Sequence, residues 1–560
     1  MRLLLVVWLI AGCGLSTSAI AATCTVLNEH RLDWLRTVAI ATDLANVKPA
    51  SNPFTVRDVR VVRQDVFPVE QHWLARLANR FHPKTKARVL LAALPFEVGD
   101  VIGEPVLKEA ERILRAKPYF YDARVFVRQV CGAEADIDVV VRDVWTLTPK
   151  IGFNRAGGDN EFAFGLSDAN LFGLGKEIDI SYERQDEREG INFVLTDPNV
   201  FGSRWAARAI LADNDDGHRY GLQVSKPFFA LDSRFSTGVV LNDDQRDNGL
   251  FLLHDKFWEI GVDSETLRTF VGFSKGRRGR WVDRLILGAA YRHDEFTYPV
   301  GFPEPGPTER KFVYPFVAWQ RVEDRFVNRS NLDRVGRTED IGLGIRSYLE
   351  LGWSAESFGG IGDYLVGRVL LSGRWYLADR HLLRVGVEFT GRYEIEDRVT
   401  DEAITTLAAT YRWQHRDQWS LVLRGNYTVV RNLPVHRQLT LGGDRGLRGY
   451  PSRYQIGDRQ YLFTLEERYY TKLEPFGLFR VGWAAFVDFG RAWYQDSAPA
   501  WTPVRKGDHF DTLADVGVGL RLESIRTRGD RVIHIDVAKP LVDGPAVGSF
   551  ELTLTVKQSL

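Results

Sequence analysis

The residues best suited to chemistry lie in one glycine-rich stretch, Leu441-Gly442-Gly443-Asp444-Arg445-Gly446-Leu447-Arg448-Gly449-Tyr450. An arginine there can offer its planar fork to two carboxylates at once. Gly446 and Gly449 let the backbone turn tightly beside it. Two downstream segments supply the acids: Phe463-Thr464-Leu465-Glu466-Glu467-Arg468 and Phe486-Val487-Asp488-Phe489-Gly490. In each, the acid takes the opposite parity to the bulky apolar residues beside it, so a strand turns it to the other face. On composition alone the stretch also reads as a solvated surface loop. The acids at Glu466 and Asp488 are what favour an ion-paired latch.

Little else points to reactive chemistry. The sequence holds no G-x-S-x-G, H-E-x-x-H or P-loop motif. Its 11 histidines are scattered, and Cys24 and Cys131 lack ligand spacing. His534 and Asp536, on a late strand segment, read as an inward-facing pair rather than a catalytic one. The expectation is a non-enzyme with no metal and no cofactor.

The elements that must position the latch are strands. From about residue 148 to 560, helical periodicity disappears and segments of about ten residues alternate strictly, each ended by Gly, Asp, Asn or Pro. Phe550, Leu552, Leu554, Val556 and Leu560 share one parity. Ile178, Ile180 and Tyr182 repeat the pattern, as do Trp419, Leu421, Leu423, Tyr427 and Val429. Such segments match the length of a transmembrane barrel strand. The second face carries many Arg, Asp and Glu, which suits a wet lumen better than a sandwich core. The pattern yields about 20 segments. It is weakest between Leu250 and Tyr298, where hairpins standing above the membrane are an alternative to wall strands. Tyr469-Tyr470 and Trp493-Tyr494 suit either an interface girdle or strand-end packing.

Ahead of this, residues 54–147 read as a small α+β domain. Val56–Val62 is strand-like, Val69–Phe81 has helical spacing, and Pro105 opens a second helix with Val106, Leu107, Ala110, Ile113 and Leu114 on one face. Strands are expected over Ala123–Val130 and Asp136–Val144. Residues 22–53 form an N-terminal segment and linker. Residues 1–21 carry Arg2, an apolar run and an A-x-A site, as in a secretory signal peptide. Ile10-Ala11-Gly12-Cys13 offers a competing lipoprotein box. In an exported chain, Cys24 and Cys131 can form one disulfide or remain two unrelated thiols. The chain of 560 residues has a formal net charge of zero, which gives no electrostatic case for a nucleic-acid partner. Beyond residue 21 no run of 18 apolar residues occurs, so no membrane-spanning helix is expected.

Taken in order along the chain, these features resemble the BamA/TamA superfamily of outer-membrane assembly and translocation barrels, the bacterial surface-antigen family. Residues 54–147 look like one POTRA domain. Leu171-Phe172-Gly173-Leu174-Gly175 and Asp197-Pro198-Asn199-Val200-Phe201-Gly202 are similar to signatures early in the family's barrel. Leu447-Arg448-Gly449-Tyr450 matches the family's V/I-R-G-Y/F loop with Leu in first position. The resemblance implies an all-β transmembrane barrel of 16 strands in the bacterial outer membrane, with the POTRA domain in the periplasm. It implies that the loop folds into the lumen with Arg448 bridging Glu466 and Asp488. It also implies a weak seam between first and last strands. The implied partners are outer-membrane lipids and an unfolded client polypeptide, which the barrel inserts or translocates. A single POTRA domain departs from the several of the main assembly protein. The other functional class is a passive outer-membrane pore or substrate channel.

Overall fold

The structure, a computed structural model, describes residues 24–27, 53–66, 80, 82–185, 187–303, 305–329, 332, 338–475, 479–496, 498–504, 511–524 and 532–557. The expected signal segment, the linker, the helix over Val69–Phe81 (Arg80 apart) and Leu560 lie outside the described residues.

The small domain is built on five strands: β1 (Cys24–Val26), β2 (Phe54–Gln64), β3 (Val101–Ile102), β4 (Phe120–Cys131) and β5 (Glu134–Asp143), ordered β1-β4-β5-β2-β3. The alternation in β5 sets its two faces. Ile137, Val139 and Val141 are fully buried against α1 (Ala87–Ala93) and α2 (Glu104–Arg115), through Val89, Leu90, Leu107, Ala110 and Leu114. Pro105 sits in the first turn of α2, where its missing N–H costs no hydrogen bond. On the other face Asp136 takes the fork of Arg57 at 2.7 Å, and Asp138 takes that of Arg60 at 2.9 Å. The segment before residue 54 also contributes: β1 pairs antiparallel with β4, and Cys24 is disulfide-bonded to Cys131.

The wall begins with β6 (Leu147–Ala156), so Leu147 belongs to the barrel rather than to the domain before it. It continues through β7 (Asp159–Asp168), β8 (Glu177–Arg184), β9 (Glu189–Asp197), β10 (Ala206–Asn214), β11 (Gly217–Lys226), β12 (Phe235–Leu252), β13 (Asp255–Arg278), β14 (Trp281–Thr297) and β15 (Glu309–Glu323). A hairpin of β16 (Phe326–Arg329) and β17 (Glu339–Gly342) stands apart. The wall resumes with β18 (Gly344–Ser354), β19 (Tyr364–Ala378), β20 (His381–Glu394), β21 (Val399–Arg416) and β22 (Trp419–Arg431). A second detached hairpin, β23 (Leu439–Leu441) with β24 (Gln455–Gly457), precedes β25 (Arg459–Tyr470), β26 (Phe479–Trp493), β27 (Leu513–Ser524), β28 (Val532–Pro540) and β29 (Glu551–Lys557).

The two detached hairpins aside, these strands close into one antiparallel barrel of 20. The count corrects the 16 implied by resemblance and agrees with the alternation. Each alternating segment finds a partner on both sides, and a wider ring leaves room in the lumen for an inserted loop. The segment between Leu250 and Tyr298 forms wall strands; β13 is 24 residues long and stays laddered to β12 and β14. Its weak pattern reflects length beyond the apolar belt, not absence from the wall.

Parity sorts the two faces as alternation requires. Phe162, Phe164, Leu166, Ile180, Tyr182, Leu423, Leu552 and Val556 face outward and are exposed, while Ser181, Ser420, Val422 and Thr553 are buried inside. Tyr470 is buried beside Val532, which makes it a strand-end packing residue. No helix among the described residues is long and apolar enough to cross a membrane. The apolar exterior and polar interior are those of a transmembrane β-barrel.

The small domain packs against one face of the barrel, and its contacts are spread over several wall connections. Arg115 forks onto Asp340 with two bonds of 2.7 Å. Arg277 of the wall reaches Glu109 of the domain at 2.7 Å and is itself braced by Asp324 of the wall at 2.9 Å. The Asn170 side-chain amide donates to the Thr85 hydroxyl at 2.7 Å.

Candidate functional site

The connection from β22 to β25 is the site. It starts on the face opposite the small domain, is narrowed by the β23–β24 ladder, and then folds into the lumen. Gly443–Arg445 makes one short helical turn, after which Gly446 has φ +104° and Leu447 φ +59°. The φ of Gly446 lies in the region that favours glycine, and a Cβ there would also lie 2.1 Å from the Leu462 Cδ2 on β25. Gly449 serves differently from the tight turn expected of it. It carries no positive φ; its role is close approach, because a Cβ there would meet the Asp515 Cβ at 2.8 Å.

These constraints deliver Arg448 to a ring of carboxylates. Its Nε and Nη2 donate to the two Asp488 oxygens at 2.7 and 3.1 Å. Its Nη1 donates to Glu466 at 3.0 Å and to Asp536 at 3.3 Å. The guanidinium also lies 3.2 Å over the Phe486 ring. Burial opposes ionisation, but the three acids outweigh it and hold the Arg448 pKa above its ordinary value. The cation is therefore permanent. The flanking residues are pinned as well. The Gly449 N–H donates to Asp515 at 3.0 Å, and the Tyr450 hydroxyl donates to the Ala514 carbonyl at 2.8 Å. Leu447 and Tyr450 are fully buried with Leu441, Tyr454, Ala492 and Leu513.

Thus Leu447, Arg448, Gly449, Tyr450, Glu466 and Asp488 come together. Parity had signalled the two acids, since Val487 and Phe489 are exposed outside while Asp488 is 1% exposed. Sequence reasoning did not assign Asp515 or Asp536 to the loop, nor the wall cations Arg468 and Arg521. Arg468 donates to Glu466 at 2.7 Å, and Arg521 donates to Asp536 at 2.5 Å. Asp488 and Asp515 are direct cross-strand partners. Two carboxylates at such a register are the signal that a cation must enter from elsewhere. A lumen cavity of about 300 Å³ opens beside Arg448, lined also by Asn426, Thr464 and His534.

The loop has a second anchorage. Ser452 donates through its N–H to the Gly157 carbonyl and through its hydroxyl to the Ala156 carbonyl, both at 2.9 Å. Ala156 ends β6, the first wall strand, whereas Asp536 and Asp515 lie on β28 and β27. The loop therefore grips both sides of the closure between β29 and β6. That closure is thin. Among the described residues it has one ladder pair, Leu554 with Arg155, against seven for β28–β29 and ten for β6–β7. The Gly158 N–H adds one bond to Glu551 at 3.0 Å.

No protein-family model matches the chain, and no curated protein matches it. Among solved structures it is similar to BamA from Haemophilus ducreyi lacking POTRA domains 1–3, at 13% identity and TM-score 0.40, over 90% of this chain and 84% of that one. It is also similar to CdiB from Acinetobacter baumannii, at 11% identity and TM-score 0.41, over 90% of this chain and 74% of that one. For CdiB from Escherichia coli the values are 13% and 0.38, over 94% of each chain. These are loose likenesses, and the architecture stands on the strand ladder itself.

Proposed function

We propose that this chain is a bacterial outer-membrane barrel that inserts or translocates a polypeptide, with the small domain acting in the periplasm as a POTRA-like receiver. The observation that carries this reading is the lumenal loop gripping both sides of a closure that holds, among the described residues, one ladder pair. A wall left nearly unpaired along one line offers backbone donors and acceptors to an incoming strand. The loop keeps the barrel circular while that line is weak. Arg448 holds the β25, β26 and β28 side, and Ser452 holds the β6 side. No covalent chemistry is involved; strand pairing by the client supplies the driving force.

The test is to lock the closure. Arg155→Cys with Leu554→Cys, on a Cys24→Ser/Cys131→Ser background, places a disulfide across the single ladder pair. The double variant is expected to stall growth or client appearance in the outer membrane under oxidising conditions and to recover with reductant. Full client delivery through the locked barrel would overturn the reading and favour a passive pore. A photo-crosslinker at Val101, exposed on the edge strand β3, identifies the client that the domain receives.

A further inference from the structure

Two successive turns on the domain face of the barrel repeat one sequence and one conformation. Asp168-Ala169-Asn170-Leu171-Phe172-Gly173 follows β7, and Asp197-Pro198-Asn199-Val200-Phe201-Gly202 follows β9. In each, the aspartate accepts the N–H of the asparagine two residues on, at 2.9 and 3.0 Å. A single helical turn comes next, and in both copies the phenylalanine has φ +52°. A bulky residue in the left-handed region is an outlier that persists only where surroundings impose it.

The small domain imposes it from one side. The Lys86 N–H donates to the Gly173 carbonyl at 2.9 Å, and a Cβ on Gly173 would sit 2.4 Å from the Lys84 carbonyl oxygen. At the second turn, Arg204 donates to the Leu94 carbonyl at 2.7 Å. The domain thus holds each turn from behind, and the phenylalanines are turned away from it. Phe172 is 67% exposed and Phe201 102%. The next turn on this face shows the contrast: Phe229 lies 4.0 Å under the Arg204 guanidinium, and Phe228 lies 4.6 Å under that of Arg284.

The two bare rings continue an apolar surface. They stand just below Leu166 and Leu195, the last outward-facing apolar residues of β7 and β9, both exposed on the lipid side of the wall. The turns are two strands apart, about 10 Å along the rim, and begin one strand from the weak closure at β6. An aromatic ring at the end of a lipid-facing strand lies at headgroup depth, where such rings are favoured. We propose that Phe172 and Phe201 are paired membrane anchors that enter the periplasmic leaflet beside the closure, so that the partner of this surface is lipid. Because the domain grips the same turns, the anchors also fix its height relative to the bilayer. The inference rests on the membrane-spanning reading of the wall.

The experiment labels single cysteines with an environment-sensitive fluorophore in the full chain on a Cys13→Ser background, reconstituted in phosphatidylethanolamine/phosphatidylglycerol vesicles. Phe164→Cys marks the wall and Val300→Cys, fully exposed on the opposite face, marks water. Labels at Phe172→Cys and Phe201→Cys are expected to be quenched by a headgroup-level spin-labelled lipid. Their quenching by aqueous iodide should be at least threefold weaker than that of the label at position 300. Iodide quenching equal to position 300, with the wall label still quenched by lipid, overturns the anchors alone. Failure of the wall label overturns the spanning reading itself. Protection of position 201 that appears in cell envelopes but not in vesicles assigns the surface to a protein and also overturns the proposal.

Discussion

Two charge networks hold this molecule together, and they are built on opposite plans. In the lumen, one cation gathers three wall acids: Arg448 meets Asp488, Glu466 and Asp536 on three different wall strands. At the junction with the small domain, several arginines share the load, with Arg115 on Asp340, Arg277 on Glu109 and Asp324, and Arg112 near Asp324 at 3.6 Å. In the first plan the loss of one group removes three ion pairs at once. The second tolerates the loss of one pair because others remain. A part that must let go is suited to a single-point hold, and a part that must stay docked is suited to a distributed one.

The hardest blow to this contrast is Arg448→Ala. It takes the cation from Asp488 while Glu466 keeps Arg468 and Asp536 keeps Arg521, and breaking such a buried pair costs about 3–5 kcal/mol. Protease cleavage within residues 441–454 should rise sharply in folded barrels, and client delivery should fall. A loop as resistant as the parent's would dissolve the single-point hold. Exchanging the charges, Arg448→Asp with Asp488→Arg, should restore part of the protection.

A covalent tie distinguishes the small domain further. Cys131→Ser opens a closure of 107 residues and should lower that domain's stability by about 2–4 kcal/mol, read by hydrogen exchange in β4 and β5. The lumen loop should keep its protease resistance. Parallel loosening of both would mean that the two regions are one cooperative unit.

Acid sharpens the comparison next. His436 lies near the base of the loop, stacked on Phe296, and burial lowers its pKa to about 4. A histidine depressed below its free value favours the docked loop at neutral pH. That advantage is lost as pH falls from 6.5 toward 4, because only the undocked ring takes up the proton. At pH 5 the loss amounts to about 2 kcal/mol, seen as faster proteolysis of the loop. His436→Gln should flatten the profile.

The smallest effect belongs to the distributed junction. Asp324→Asn removes one shared acceptor while Arg277 keeps Glu109 at 2.7 Å, so docking should weaken by about 1 kcal/mol. Crosslinking yield between the domain and the 169–176 turn measures it.

Much of this was legible in the residues. Strict alternation placed Val487 and Phe489 outside and Asp488 inside, and it gave a strand count nearer the truth than resemblance did. Gly446, Arg448 and Glu466 announced an inserted, ion-paired loop. The participation of Asp536 and Asp515 was not legible, because it depends on which strands become neighbours when the wall closes. The Ser452 contact with Ala156 joins residues 296 positions apart, and no local pattern encodes such a separation. The length of β13 was hidden because only part of a long strand alternates against lipid. The exposure of Phe172 and Phe201 depends on how the domain docks.

The reach of the loop also has a consequence in time. Arg448 is made 88 residues before Asp536, and its other anchorage at Ala156 is made far earlier. Closing such distant contacts is entropically slow and waits on the elements that supply them. The loop can therefore complete its contacts only after β28 has joined the wall, and a chain arrested after β26 should carry it more open to protease than the finished barrel does. Seating of the loop becomes a checkpoint for completion: a barrel that has not finished its circumference carries a visible flag, and a finished one hides it.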